Sequence, residues 1–122
     1  MNDFVKKPRV LAVIPARGGS KRLQRKNIIK IGEHPMIAYS IMAANDAKLV
    51  TDWLVSSEDD EILEVARQYG ASTPFKRPEY LATDEVRNID VALHALEYME
   101  NEKGIKYDII VLLQPTAPIR SA

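Results

Sequence analysis

The sequence predicts an α/β fold, a mainly parallel sheet covered by helices, from three observations. Two short and mainly apolar runs, at residues 10–14 and 107–113, have the composition of strands buried on both faces of a sheet. Apolar residues at helical spacing lie between such runs. Strand and helix signals alternate as β-α-β-α-β-α-β, an order that implies right-handed crossovers and parallel strands. The length of 122 residues is that of one domain.

The elements of the first half follow in order. Residues 10–14 are predicted to form the first strand, which ends at Pro15. Residues 15–34 contain three glycines and six of the nine basic residues found among the first thirty, a composition typical of a long functional loop. A helix is predicted from Pro35 to about residue 47, because proline is tolerated in a first helical turn. Residues 53–55 are predicted to form the second strand.

The second half continues the alternation. A helix is predicted to end near Gly70, with Ser57 or Asp59 as its N-cap residue. Glu58, beside them, is expected to cap the same helix start and is not assigned to a metal ion. The remaining elements are a strand candidate at residues 71–75, a helix over residues 86–102 that ends at Gly104, and a final strand over residues 107–113.

The net charge is zero, yet the charges are unevenly distributed along the chain. Residues 1–30 contain nine basic residues and one acidic residue, a balance of +8, and the remaining residues carry −8. Since a general polyanion binder is usually basic overall, this distribution favours one focused anion site. It disfavours a nucleic-acid surface, which would spread its cations along a helix or stripe.

The composition also excludes several classes of site and location. The chain has no Cys, which excludes disulfides, thiolate catalysis and Cys-based zinc sites. No run approaches the roughly 18 apolar residues of a membrane span, and the apolar run near the start is too short for a secretory leader. We therefore expect a cytoplasmic protein without a membrane partner.

One glycine-rich basic loop carries the residues best suited to chemistry. It reads Pro15-Ala16-Arg17-Gly18-Gly19-Ser20-Lys21-Arg22-Leu23-Gln24-Arg25-Lys26-Asn27. Glycines after a buried strand let backbone N–H groups converge on an anion, and the cations can neutralise a polyphosphate. The loop matches neither the Walker nor the dinucleotide fingerprint, and a solvated basic turn is the alternative. Ligands gather beyond the carboxyl ends of parallel strands, so this loop and residues 114–120 are expected to share a site.

This loop resembles the signature of the cytidylyltransferases that activate nine-carbon acidic sugars, the acylneuraminate, pseudaminic and legionaminic acid synthetases. The resemblance rests on residues 14–21 and 26–28, and on residues 35–41, 55–57, 77–84 and 112–120. It spans residues 9–120 and covers about the first half of a family member. It implies a three-layer Rossmann-like nucleotidyltransferase fold, incomplete at the C-terminus, in which residues 1–122 are a single CTP-binding portion.

The resemblance implies a reaction in which CTP and a nonulosonic sugar acid give a CMP-sugar and pyrophosphate. The nucleotide-binding residues implied are Ala16, Arg17, Gly18, Gly19, Ser20, Lys21, Lys26, Asn27, Arg77, Asn88, Gln114, Pro115 and Thr116, with Lys21, Arg17 and Gln114 as the catalytic candidates. Arg77 and Asn88 correspond to the part that contacts the cytosine edge, although a small hydroxyl residue is common where Asn88 stands.

Further expectations concern the metal, the assembly and the alternatives. The resemblance implies Mg²⁺ with carboxylate ligands outside this chain segment, and a homodimer for the full-length form. The acidic residues Asp59, Asp60, Asp84 and Asp90 are expected to be helix caps or solvated, and His34 and His94 to be surface or packed side chains. The alternatives are a CTP-binding module without turnover and a synthetase for the eight-carbon sugar acid of lipopolysaccharide. A chain complete at residue 122 is expected to show little or no turnover.

Overall fold

The computed structural model describes residues 7–18, 30–83 and 85–115. Its strands are β1 (Val10–Pro15), β2 (Lys30–Ile31), β3 (His34–Pro35), β4 (Asp52–Ser56) and β5 (Ile109–Leu112). Its α-helices are α1 (Met36–Asp46), α2 (Asp60–Gln68) and α3 (Asn88–Lys103), and a short 3₁₀ helix covers Glu79–Leu81. None of the helices in these ranges is long and apolar enough to cross a membrane.

The main sheet has three parallel strands in the order β4-β1-β5. β1 is therefore central, and Val13 is in register with Leu54 of β4 on one side and with Leu112 of β5 on the other. The predicted parallel sheet is confirmed. β2 and β3 form a separate antiparallel ladder of two residues each.

Helices cover both faces of this sheet, because successive residues of β1 point to opposite sides. Ile14 packs in one cluster with Ile41 of α1 and Ile62 of α2. Leu11 packs in a second cluster with Ala95 of α3. The result is a three-layer arrangement, with α1 and α2 on one face and α3 on the other, as the sequence predicts.

The predicted strand at residues 71–75 is wrong. In the structure this segment has no regular secondary structure and is joined to β4 by a bond from the Val55 N–H to the Ser72 carbonyl, at 2.9 Å. Pro74 has no N–H to donate, which prevents a continuous ladder. The β2–β3 hairpin was not predicted from the sequence. The three helices and the other three strands lie where they are predicted, within about two residues at most ends.

A hydrogen bond fixes the amino-terminal edge of the sheet. The Tyr107 hydroxyl donates to Asp52 Oδ2 at 2.6 Å and so joins the start of β4 to the segment before β5. Burial, followed by this hydrogen bond and the charge of Asp52, raises the pKa of Tyr107 well above its ordinary value. The phenol is thus a neutral donor that joins the two outer strands, at the end of the sheet opposite to the carboxyl ends of its strands.

Candidate functional site

The carboxyl ends of the three parallel strands meet at one edge of the sheet. Pro15 at the end of β1 is in register with Ser56 at the end of β4. On the other side, the Leu113 N–H donates to the Val13 carbonyl at 2.9 Å, so that Gln114 follows beside the end of β1. The expectation that the first and last strands open at the same edge is confirmed. The basic loop leaves from the centre of that edge.

Two hydrogen bonds guide the chain out of β1. The Ala16 N–H donates to the Ser56 carbonyl at 2.9 Å. The Gly18 N–H donates to both carboxylate oxygens of Glu58, at 2.9 Å and 3.2 Å. The start of the basic loop is therefore attached to the segment that follows β4.

The expectation that Glu58 caps α2 is wrong. Asp59 is the N-cap residue, and its Oδ1 accepts from the Glu61 and Ile62 N–H groups at 2.9 Å and 3.1 Å. A helix start has one N-cap position, and Asp59 fills it. Glu58 is therefore available to accept from Gly18, a long-range contact that a local spacing pattern does not reveal.

Gly18 packs directly against the same N-cap residue. A Cβ atom at Gly18 would lie 2.4 Å from Asp59 Oδ2 and 2.6 Å from Asp59 Cβ. Among the described residues, positive φ values are found at Gly32, Gly70 and Gly104, so Gly18 is needed here for space. The close approach keeps the loop start and the start of α2 together.

Arg77 is buried at the end of β4, with only 2% of its surface exposed. Its Nε donates to Ser56 Oγ at 3.0 Å and its Nη2 to the Ser56 carbonyl at 2.7 Å. Its Nη1 donates to the Leu81 carbonyl at 3.2 Å. These bonds engage three of the five N–H donors of the guanidinium and fix its plane.

Two charged neighbours act on this guanidinium. The pKa of Arg77 is lowered to about 10, mainly by burial, while the negative charge of Glu58 raises it and the positive charge of Arg17 lowers it. Arg77 remains protonated at neutral pH. The buried cation thus has a carboxylate nearby that partly offsets the cost of its burial.

Arg17 and Arg77 hold neighbouring carbonyl groups. Arg17 Nη1 donates to the Ala82 carbonyl at 3.2 Å, next to the Leu81 carbonyl that Arg77 binds. Both carbonyls lie at the end of the 3₁₀ helix Glu79–Leu81. The two guanidiniums therefore join the basic loop, the end of β4 and this helix into one wall of the site.

The other predicted residues in the described ranges lie around this edge. Gln114 has an exposed side chain after β5, and its carbonyl accepts from Ser40 Oγ of α1 at 3.4 Å. Pro115 follows it and is half-buried. Asn88 is the first residue of α3 and is exposed. The predicted residues Gly19, Ser20, Lys21, Lys26, Asn27 and Thr116 lie outside the described residues.

A sequence model of the family described as Cytidylyltransferase matches residues 11–120. The chain belongs to the cytidylyltransferase family. The pseudaminic acid cytidylyltransferase of Campylobacter jejuni is 43% identical over 109 residues, which are 89% of this chain and 47% of that protein. The CMP-N,N'-diacetyllegionaminic acid synthase of Legionella pneumophila is 43% identical over 112 residues, 92% of this chain and 48% of that protein. This cytidylyltransferase chain thus spans about half the length of the curated relatives it matches.

Solved structures agree with this family assignment. A CMP:2-keto-3-deoxy-manno-octonic acid synthetase complexed with CTP superposes with a TM-score of 0.68 and 26% identity, over 88% of this chain and 40% of that one. A cytidylyltransferase from Leptospira borgpetersenii superposes with a TM-score of 0.65 at 23% identity, over 88% of this chain and 42% of that one, and shares the fold. The chain therefore has the Rossmann-like nucleotidyltransferase fold that its sequence predicts, and it covers 40% and 42% of these two solved structures.

Asp59, Asp60 and Asp90 each have a structural partner. Asp60 pairs with Lys76 at 3.2 Å, and Asp90 accepts from the Arg87 N–H at 3.4 Å at the start of α3. Together with Asp59 at the start of α2, they confirm the expectation of helix caps and solvated acids, while Asp84 lies outside the described residues. Within residues 7–18, 30–83 and 85–115, no three His, Cys, Asp or Glu side chains are grouped as metal ligands.

His94 of α3 is half-buried, and we expect it to make the stability of the protein dependent on pH. Its ring lies edge-on to Phe75, with centroids 4.8 Å apart, and its Nδ1 is buried without a hydrogen-bond partner among the described residues. Burial, followed by the charge of Arg77, lowers the pKa of His94, while Glu97 acts in the opposite direction.

A histidine whose pKa is lowered by folding takes up its proton more readily in the unfolded chain. The contribution of neutral His94 to the stability is therefore fully present above the ordinary histidine pKa of about 6.5. It is lost as the pH falls through the lowered pKa of His94 in the folded protein. Urea unfolding of the wild type and of His94→Leu, measured from pH 7.5 to pH 5, should show a steeper decline for the wild type. Equal slopes for wild type and His94→Leu would contradict the expectation.

Proposed function

We propose that this chain binds CTP at the carboxyl edge of its sheet and serves the transfer of the cytidylyl group to a nonulosonic sugar acid, which gives a CMP-sugar and pyrophosphate. The proposal is supported by the names of its relatives, which include a pseudaminic acid cytidylyltransferase and an N,N'-diacetyllegionaminic acid synthase. An N-acylneuraminate cytidylyltransferase of Escherichia coli is also similar, with 35% identity over 114 residues.

The observation that carries the proposal is the position of the basic loop. It leaves the central strand between the ends of β4 and β5, where parallel sheets bind their ligands. Arg17 and the buried Arg77 lie at the same edge and are joined through the carbonyls of residues 81 and 82. Cations in a glycine-rich loop suit a compact polyanion such as a triphosphate.

In the proposed mechanism, the anomeric hydroxyl of the sugar acid attacks the α-phosphorus of CTP. The protein holds the reacting groups in line and offsets the charge that builds up on the phosphates. We assign the triphosphate to Arg17, Lys21 and Lys26, and the region of the sugar and the α-phosphate to residues 114–116. Arg77 and Asn88 are assigned to the cytosine edge, since the guanidinium keeps two N–H donors besides the three that bind Ser56 and Leu81.

The proposal extends to the metal, the assembly and the location. Mg²⁺ would neutralise the phosphates when it is bound, with protein ligands from outside the described residues. The full-length form is proposed to be a homodimer in the cytoplasm.

Calorimetry with CTP tests the proposed binding site. CTP is titrated into the chain once with Mg²⁺ and once without it, and the wild type should bind CTP. Lys21→Ala should weaken this binding by about tenfold or more, because a charge-assisted phosphate contact is lost. Lys48→Ala is the matched control, since Lys48 is an exposed cation outside the basic loop. The proposal fails if the wild type does not bind CTP, or if Lys21→Ala and Lys48→Ala bind it equally well.

Pyrophosphate release separates the remaining candidates. The likeness to the octonic acid synthetase, at 26% identity, keeps the eight-carbon acid as a second candidate substrate. The 43% identity to the two nonulosonic enzymes favours a nine-carbon acid. Release with CTP and pseudaminic or legionaminic acid, and less with the eight-carbon acid, supports the first proposal. CTP binding by the full-length form without release for any of these acids favours a binding module.

A further inference from the structure

Glu58 extends the pairing between β1 and β4 beyond the last backbone bond. Along a parallel ladder, N–H groups two residues apart point toward the same neighbouring strand. The Ala16 N–H donates to the Ser56 carbonyl of β4 at 2.9 Å. Two residues on, the Gly18 N–H points the same way, and the Glu58 carboxylate accepts it at 2.9 Å and 3.2 Å. A side chain thus makes the next bond of the ladder.

The same carboxylate acts on the buried guanidinium. Arg77 donates to Ser56, which lies two residues before Glu58. It is the most deeply buried cation among the described residues. The negative charge of Glu58 raises the pKa of Arg77 against the lowering that burial causes. Removing that charge would make it more costly to keep a cation in this place.

We infer that Glu58 is a positioning residue for nucleotide binding, which fixes the start of the basic loop through Gly18 and supports Arg77 as a buried cation. The inference rests on the proposed function and deepens it. Glu58 acts through Gly18 and Arg77, because its carboxylate accepts the hydrogen bond of the Gly18 N–H. The direction in which CTP affinity changes when Glu58 is replaced is diagnostic. A carboxylate that merely lay near a triphosphate would repel it, so removing that carboxylate would tighten CTP binding.

The test compares three variants of the 122-residue chain, each first shown to be folded by circular dichroism at the temperature used. Glu58→Ala removes the acceptor and the charge, and Glu58→Gln removes the charge but keeps an acceptor. Glu64→Ala is the matched control, since Glu64 is an exposed glutamate of α2 that pairs with Arg67. Calorimetry gives the dissociation constant of CTP for each, and the ¹⁵N–¹H spectrum gives the amide proton shift of Gly18.

Glu58→Ala should raise the dissociation constant of CTP by about tenfold or more, the loss expected for one charge-assisted bond. Glu58→Gln should fall between Glu58→Ala and the wild type, and Glu64→Ala should match the wild type. The Gly18 amide proton should move upfield in Glu58→Ala and stay in place in Glu64→Ala. A role in stability alone would leave the CTP affinity of the folded variants unchanged.

Two results overturn the inference. One is CTP binding by Glu58→Ala or Glu58→Gln that is as tight as in the wild type, or tighter. The other is an unchanged Gly18 amide shift in Glu58→Ala. If the wild type binds no CTP, the proposed function fails and this role fails with it, while the amide shift still reports the contact itself. If the wild type binds CTP and the Glu58 variants bind equally, only the present inference fails.

Discussion

Replacing Arg77 by methionine should lower the free energy of unfolding by about 3 kcal/mol and abolish measurable CTP binding. Methionine fills much of the same volume but leaves the Leu81 carbonyl without the donor that now reaches it at 3.2 Å. The Ser56 carbonyl loses the Arg77 bond of 2.7 Å and keeps the bond from the Ala16 N–H. Methionine carries no charge, so the cost of burying a cation disappears and offsets part of the lost stability. The expected loss of unfolding free energy is therefore smaller than the sum of the three lost hydrogen bonds. Urea unfolding followed by circular dichroism measures the change.

Arg67→Met is the matched control for this prediction. Arg67 also carries a guanidinium, with bonds to Thr73 and Glu64, but its side chain is 50% exposed. Exposed pairs of this kind contribute less than about 1 kcal/mol. If Arg77→Met and Arg67→Met unfold at the same urea concentration, then the buried guanidinium does not hold the end of β4 together.

Replacing Gly18 by alanine should weaken CTP binding by about tenfold or more and lower the free energy of unfolding by about 2 kcal/mol. The new Cβ atom would lie 2.6 Å from Asp59 Cβ, close to the backbone, so rotation of the Asp59 side chain does not relieve the contact. The loop start must move away from α2, which disturbs the Asp59 cap and stretches the bond to Glu58. Calorimetry and urea unfolding measure the two effects.

Gly104→Ala separates the site effect from the general cost of replacing a glycine. Gly104 ends α3 with φ at +67°, and a Cβ atom there would have no heavy atom within 4 Å. Its replacement should cost about 1 kcal/mol through backbone strain and leave CTP affinity unchanged. Equal CTP affinity in Gly18→Ala and Gly104→Ala would show that the close approach to Asp59 is not needed for binding.

Local patterns predicted most of the elements because those patterns are themselves the cause of the structure. The apolar run in β1 needs burial on both faces, and helices on both faces provide it. Asp59 was one of two N-cap candidates, and the structure selects it. The strand predicted at residues 71–75 failed because a ladder needs a partner edge and N–H donors, and Pro74 supplies none.

The sequence also located the candidate site at the loops after the first and last strands, although Gly19, Lys21 and Thr116 lie outside the described residues and their roles stay predictions. It did not predict the function of Glu58. A glutamate before a helix has many local uses, and its contact with Gly18 spans 40 residues of chain.

The class of fold, the family and the separation of charge, with nine basic residues among the first thirty, follow from the order of the amino acids alone. Hydrophobic periodicity and family motifs are local properties, so they can be found without coordinates. The folded arrangement was needed to show that Arg77 is buried against Ser56, that Arg17 lies in the same wall of the site, and that Glu58 accepts the last bond of the ladder from Gly18. These contacts depend on the order β4-β1-β5, which brings together segments that are distant in the chain.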